Sequence, residues 1–462
     1  MDYIIIGAGP TGLTLAYYLG KLGKKVLLIE KENTIGGTHR VKRVNGFFTE
    51  HGPRIYINNY LMFMDMLNDM GTSFYDIFTE YNFGVVPIVK KTVGYFSFRE
   101  MVILFITFIT LNDSYRKKTM LEYTSENNFS KRAKWYIDRL CRLTDGAGIK
   151  RYTLHEFIQT INQNGLYGIY QPKLPNDIGL FKIWEKNLKK YNVNILLNTE
   201  VSKFNIKNNN ITNIVVNNKT ILCKNVILAC PPGSFIKILP DAFGNIDTYV
   251  EKVKYLQYIP IVYHWDKVIK LKKIWGFPSN GWGLASIILS DYMKFTSTNG
   301  RSKSGTVISV TITIHDKSSY IGKRPNECSK HELIEETFRQ LKEIYPNLPV
   351  PDHSFLENNT YINNKWELNS GSFMLTKHGF IDYFSKYRNL YNCGVQNGKS
   401  YYDFNSLEAA VQNAINLLHI MEPKMILPIR HLWTLRQVIA LLVFLIITII
   451  YLVKSRTLVS RR

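Results

Sequence analysis

An α/β fold, with an α+β domain interleaved into it and an apolar helix near the C-terminus, is what this 462-residue chain predicts. Three observations predict it. A glycine-rich turn, Gly7-Ala8-Gly9-Pro10-Thr11-Gly12, stands between a strand-like and a helix-like stretch. A second glycine turn follows an apolar strand at Cys393-Gly394 and leads into another helix-like stretch. Residues 438–453 run for sixteen positions without a charge.

The first elements follow from local pattern. Residues 2–6 read as a strand, 13–22 as a helix, and 25–29 as a second strand ending on Glu30. A strand, GxGxxG, helix and second strand with an acid about twenty positions on form a Rossmann-like dinucleotide fingerprint. Gly7 permits the tight turn, Gly9 lets the backbone approach a pyrophosphate, and Gly12 lets helix and strand pack. The helix N-terminus then faces the phosphates, and Glu30 can accept hydrogen bonds from an adenosine ribose. A nicotinamide-binding domain usually goes straight on to its next crossover helix. This chain instead runs through Gly36-Gly37 into a β-rich segment, 41–56, holding Glu50-His51-Gly52-Pro53-Arg54.

The middle is coarser. Residues 60–70, 99–111, 128–143 and 154–162 read as helices. The segment 102–111 is strongly apolar but too short to cross a bilayer. Core placement is the expectation for it, with a membrane-surface contact as the alternative. From 172 to 231 the pattern alternates again, with a helix at 178–191 and strands at 193–197, 200–204, 211–216 and 226–229. Strands at 259–263, 283–288 and 305–314 and a helix at 330–344 predict a mixed sheet with helices. At the end, Asn405 or Ser406 can cap a helix opening with Leu407-Glu408. Its free N–H groups and positive end would suit an anionic ring edge.

Together the terminal motifs resemble the signature of the flavin-containing amine oxidase superfamily. That group includes monoamine oxidases, protoporphyrinogen oxidase and phytoene desaturases, and has a distant likeness to UDP-galactopyranose mutase. The resemblance spans residues 1–425. It implies FAD as cofactor and a Rossmann-like FAD-binding domain of the GR2 type, built from 1–58, 172–240 and 388–425. Residues 59–171 and 241–387 would form the substrate or cap domain. Cofactor contacts are implied for Gly7, Gly9, Pro10, Thr11, Gly12, Glu30, Lys31, Gly37, Thr38, Arg54, Val201, Gly394, Ser406 and Leu407. Val201 would serve through its backbone, pairing with the adenine edge. The flavin itself would carry the reaction, so no side chain is assigned to catalysis; Arg54, Tyr56 and Trp366 are candidates for the ring's neighbourhood, with His51 in the same segment. The chain departs from the family pattern at Pro175-Asn176-Asp177, where Gly-Gly often stands, and at Val395, where an acid or arginine is usual. Tyr401-Tyr402-Asp403 resembles the mutase-like branch.

Three functions are consistent with this. The first is a membrane-anchored FAD-dependent oxidoreductase that takes a hydride from a small organic substrate, an apolar one in keeping with the anchor. The second is a flavin-dependent isomerase of nucleotide-sugars. The third is a non-catalytic protein with a vestigial FAD site.

Bulk properties narrow the partners. The net charge of +22 accompanies abundant Lys, Asn, Ile and Tyr, a bias AT-rich codons produce. No basic block interleaved with aromatics marks a nucleic-acid groove, so nucleic acid is not expected; attraction to an anionic lipid surface or an anionic substrate is the alternative to codon bias as the meaning of the charge. Five cysteines with no CxxC argue against a metal or disulfide framework and for a reducing compartment. Cys393 reads as a small buried residue at a strand end, and His264 and His378 as structural. With no stretch before the first strand to cleave, no signal peptide is expected. The apolar run is taken as a transmembrane tail anchor within 432–454; about 19 residues of it give about 28 Å of helix, just enough for the hydrocarbon core. The main domain is then expected on the cytosolic side.

Overall fold

A computed structural model describes the chain except residues 83–91, 147, 237, 246–258, 274–275, 296–304, 357–358, 363–364, 369–375, 404–405, 426, 428 and 460–462, and the side chains of 145, 359–368, 376 and 453–459. At its centre is a parallel five-stranded sheet in the order Leu390–Asn392, Asn225–Leu228, Tyr3–Ile6, Val26–Ile29, Asn194–Leu196. Three distant stretches of sequence therefore supply one sheet. All four residues of Val26–Ile29 are buried, as a strand covered on both faces requires. One face packs on the helices Pro10–Lys21, Leu61–Asp69, Leu180–Lys190 and Leu407–Met421. The other is covered by a three-stranded meander, Val201–Lys207, Asn210–Val216 and Lys219–Leu222. Its two hairpin turns are Asn208-Asn209 and Asn217-Asn218, all four at positive φ. Asparagine tolerates that region, and two consecutive positive-φ residues match the strand twist.

A second, antiparallel sheet has the order Leu284–Ile288, Thr306–Ile312, Ile259–Trp265, His353–Phe355. The helix Lys330–Ile344 covers one face. The other meets the hairpin Val41–Val44/Phe47–Glu50, where His264 Nε2 bonds the carbonyl of Phe48. His264 is thus structural, as expected.

A helical group, 98–164, completes the body. Its helices begin where Ser/Thr-x-x-Glu occurs: Ser97/Glu100, Thr119/Glu122 and Thr153/Glu156 each close a reciprocal capping box. The helix expected at 128–143 runs instead over Lys131–Asp145, because Ser130 caps Ala133 N–H and Gly146, at φ +78°, stops it.

One expectation is met only in part here. Residues 102–111 are core on one face only: Phe108 is buried, with Ile103, Leu104 and Leu111 packed partly buried beside it. In the helix Phe98–Ile109 the large apolar side chains Phe98, Val102, Phe105, Ile106 and Ile109 are exposed, while Glu100, Thr107 and Phe108 face inward. Burying Glu100 is possible because its carboxylate accepts N–H bonds from Ser97 and Ser130 at 2.7 and 2.6 Å. Near the C-terminus, the helix Leu435–Val459 leaves the body. Its segment Leu435–Leu452 is long and apolar enough to cross a membrane, with none of it buried.

Candidate cofactor and substrate site

The glycine turn forms a cradle. Gly7 lies at φ +109°, and a Cβ there would stand 2.5 Å from the carbonyl oxygen of Ala229 on the neighbouring strand. A Cβ on Gly12 would fall 1.9 Å from Gly7 O, so this glycine serves helix–strand packing and does not itself line the cradle. Gly37, at φ +56°, presses its backbone against Gly9: a Cβ on Gly37 would lie 2.9 Å from Gly9 Cα. Two bare backbones therefore make the cradle floor. The helix Pro10–Lys21 begins with Gly9 and Pro10 and has no side-chain cap, leaving its first N–H groups for a ligand. Glu30 is fixed at the end of its strand by Ala8 N–H at 2.7 Å and Glu32 N–H at 3.1 Å. Pro10, Thr11, Lys31, Thr38, Val201, Gly394 and Ser406 line the same cavity, beside Gly7, Gly9, Glu30, Gly37 and Arg54.

Ser406 caps the helix Leu407–Met421 by accepting Ala409 N–H; Asn405 lies outside the described residues. Leu407 lines a second cavity rather than the first. That second cavity is walled by Ile55, Ile57, Leu143, Ile169, Ala285 and Ile287, with Arg142, Thr144, Thr160, Asn164 and Thr311 among its polar groups. Arg142 is engaged, with Nε on Asp138 at 2.8 Å and Nη1 donating to the carbonyl of Thr313.

His39, Arg54 and Ser406 line both cavities. Arg54 is held there by an Nη2 bond to Thr38 O at 2.6 Å. His39 was not singled out by the sequence. Its Nδ1 is 3.0 Å from Tyr56 Oη, and Asn176 Nδ2 donates to Tyr56 Oη at 3.0 Å and to the carbonyl of His39 at 3.2 Å. Since a carbonyl only accepts, the Asn176 amide orientation is fixed. Tyr56 then gives its proton to Nδ1, which leaves the other ring nitrogen, Nε2, as the N–H. Burial, with Arg54 and His51 as further causes, holds His39 well below the usual imidazole range. Burial likewise pushes His51 down to about 3. Both rings are neutral at pH 7.

Other expected neighbours move. Tyr56 is fully buried and lines neither cavity, because its hydroxyl is spent on the His39–Asn176 chain. Trp366 pairs with Tyr361 in a hairpin, and its side chain lies outside the described residues. Tyr401, Tyr402 and Asp403 line neither cavity. Tyr402 Oη bonds Asn164 at 2.6 Å, the Tyr401 ring packs at a tilt against His431, and Asp403 pairs with Arg116. Val395 does line the first cavity, flanked by Gly394 and Gln396. Cys393 is buried, which raises its thiol well above the usual range. The departure at Asn176 and the histidine two places past Gly37 were the sequence signals for this junction. Neither means anything until the chain brings residue 176 beside residue 39.

Residues 5–70 match the family model for an NAD(P)-binding Rossmann-like domain, and residues 181–403 match the one for a flavin containing amine oxidoreductase. This chain is similar to the flavin-containing amine oxidoreductases. That match supports FAD as the cofactor. Among solved structures, an oxidoreductase from Methanosarcina mazei superposes with a TM-score of 0.64 at 16% identity, covering 91% of this chain and 100% of that one. Cyclohexylamine oxidase from Brevibacterium oxydans IH-35A gives 0.61 at 11%, covering 92% and 99%. At such identities the likeness is one of fold. Two curated relatives match over short stretches. UDP-galactopyranose mutase of Mycoplasma pneumoniae is 36% identical over 69 residues, 14% of this chain and 17% of its own length. Thiamine thiazole synthase of Pyrococcus horikoshii is 54% identical over 37 residues, 8% of this chain and 15% of its own.

Proposed function

We propose that the protein is an FAD-dependent oxidoreductase that oxidises a small organic molecule and is held in a bilayer by its C-terminal helix, with its body on the cytosolic side. The observation that carries the first part is the meeting of two cavities along His39, Arg54 and Ser406. One has a dinucleotide cradle at its far end; the other has apolar walls and a few hydroxyls, the composition of a small-molecule site. Bound FAD supplies hydride acceptance. The chain's own part is positional. The uncapped helix N-terminus and the Gly9/Gly37 floor would hold the pyrophosphate, and Glu30 the ribose. The N-terminus of Leu407–Met421 would favour negative charge at the ring edge. His39 Nε2–H and the Arg54 guanidinium are donors at the junction, while Ile55, Ile57, Ile169 and Ile287 exclude water around the substrate.

The bilayer part rests on Leu435–Leu452: its first turns, at Leu435, Arg436 and Ile439, touch the body, and from Leu441 on the large apolar side chains are exposed. At about 1.5 Å per residue, that segment reaches roughly 27 Å, close to a hydrocarbon core. Trp433, exposed just before it, sits where interfacial tryptophans are common.

A second reading, nucleotide-sugar isomerisation, has the mutase match behind it. It is weakened by the placement of Tyr401, Tyr402 and Asp403 outside both cavities.

The test is to purify the full chain in detergent, photoreduce it under argon, admit air and follow visible absorbance. A yellow protein whose reduced form passes electrons to dioxygen or an added quinone supports the oxidoreductase. Bound flavin that stays reduced with every acceptor but binds a UDP-sugar supports the isomerase. A colourless protein that takes up no added FAD eliminates both.

A further inference from the structure

We propose that the exposed face of the helix Phe98–Ile109 is a second membrane contact, lying in the headgroup and upper acyl region beside the spanning helix. This inference rests on the bilayer reading above.

The helix has apolar side chains on two faces: Phe108, Ile103 and Leu104 pack inward, and a second apolar arc has no protein partner to bury it. At about 100° per residue, Phe98, Val102, Phe105, Ile106 and Ile109 fall within an arc of roughly 100°. That arc points outward: Phe98 is 80% exposed, Phe105 57% and Ile106 55%. The opposite face holds Glu100 and Thr107, which are 2% and 7% exposed. A helix facing water arranges these groups the other way round. Moreover, the inward face is built: Glu100 caps two N–H groups, and Thr107 Oγ1 bonds Tyr123 Oη at 2.7 Å. The helix therefore cannot rotate its apolar arc inward without stranding a buried carboxylate.

Continuity with the spanning helix identifies what covers that arc. The Arg436 guanidinium, in the first turn of Leu435–Val459, donates to the carbonyls of Ile109 and Leu111 at 2.9 and 3.2 Å. Below this clamp, Ile109 shares a groove with Ile439, Val443, Phe444 and Ile447 of the spanning helix. The end of Phe98–Ile109 thus lies at the level where the span enters the hydrocarbon. Charge agrees with an anionic leaflet: exposed Arg99 flanks the arc, and the chain as a whole carries +22. An exposed apolar helix face flanked by Arg99 and joined to a span is what a bilayer covers.

The experiment places a cysteine at Phe105→Cys in the full chain and labels it with an environment-sensitive nitrobenzoxadiazole dye. Cys141, Cys328 and Cys393 are buried, and labelled wild-type protein sets the background from Cys223 and Cys230. A label at Leu222→Cys, exposed on the distant meander, is the aqueous control. Each protein is reconstituted into phosphatidylcholine vesicles, with and without phosphatidylglycerol, containing shallow spin-labelled lipid. The expected result is a blue shift and strong quenching at 105, neither at 222, in protein that resists carbonate extraction. Carbonate-resistant protein with an unquenched, water-like label at 105 overturns the surface contact and leaves the anchor standing. Protein extracted by carbonate overturns the anchor, and this inference with it. A blue-shifted label at 105 that lipid spin labels do not quench, in protein that is dimeric in detergent, overturns lipid as the occupant in favour of a second copy.

Discussion

At single residues, the cradle depends on the absence of side chains. Gly37→Ala adds a Cβ 2.9 Å from Gly9 Cα at a positive φ that L-residues disfavour, so it should abolish FAD retention. Gly9→Val should do the same for a different reason. Its Cβ would have room, 3.7 Å from Gly37, but the branched methyls would occupy the pyrophosphate position. Stoichiometric FAD in either purified variant would refute the cradle assignment. Glu30→Ala should weaken FAD by about 1–3 kcal/mol, read by titrating the apoprotein. His39 gives a sharper residue-scale expectation. Tyr56→Phe removes the proton held on Nδ1 while keeping the ring that packs against Phe78. The imidazole ¹⁵N spectrum of the flavin-free protein should show His39 as a neutral Nε2–H tautomer in the wild type and as a mixture in Tyr56→Phe. A wild-type ring found as the Nδ1–H tautomer would contradict the donor role, and one protonated at pH 7 would contradict its neutrality.

Elements are joined by buried polar groups, and Glu408 is the clearest joint. It sits in the first turn of Leu407–Met421, yet accepts the N–H groups of Met62 and Phe63, both at 2.9 Å, and Gln412 Nε2 at 2.8 Å. One carboxylate thereby caps the helix Leu61–Asp69 and fixes it to the helix whose N-terminus faces the first cavity. Glu408→Ala strands two buried N–H groups and should cost about 2–5 kcal/mol. A thermal unfolding midpoint unchanged from wild type would show that the joint contributes little. Glu408→Gln keeps one acceptor and should lie between.

On the scale of the whole molecule, the interface between the two sheets holds a buried acid, Glu50. Burial pushes it up to about 7, although Ser309 and Arg54 act the other way. The sign follows from linkage. Between its ordinary value of 4.5 and about 7, the folded state binds the proton and the unfolded state has lost it. Stability contributed by the neutral carboxyl is complete below about 4.5 and is lost as pH rises toward 7. The span is worth on the order of 3 kcal/mol. Thermal unfolding of the full chain in nonionic detergent should therefore weaken over this window, and Glu50→Gln should make the profile shallower, the remaining slope coming from Glu408, which burial also raises to about 7. An identical slope in Glu50→Gln would place the titration elsewhere.

What the sequence determined by itself was local in origin. Gly7, Gly9, Gly12 and Glu30 can be read because a phosphate-binding turn needs its glycines at fixed offsets. The capped helices and the Asn-Asn hairpins are legible for the same reason: their hydrogen bonds close within a few residues. The uncharged run after Arg436 needs only its length. Tertiary structure alone decided where long-range partners meet. It moved Tyr56 from the ring's neighbourhood into the core behind His39, because Asn176, 120 residues away, holds its hydroxyl. It also turned the apolar face of Phe98–Ile109 outward, because Glu100 had to reach the N–H of Ser130. Periodicity shows that a helix has an apolar face; only the positions of the other elements decide which solvent that face meets.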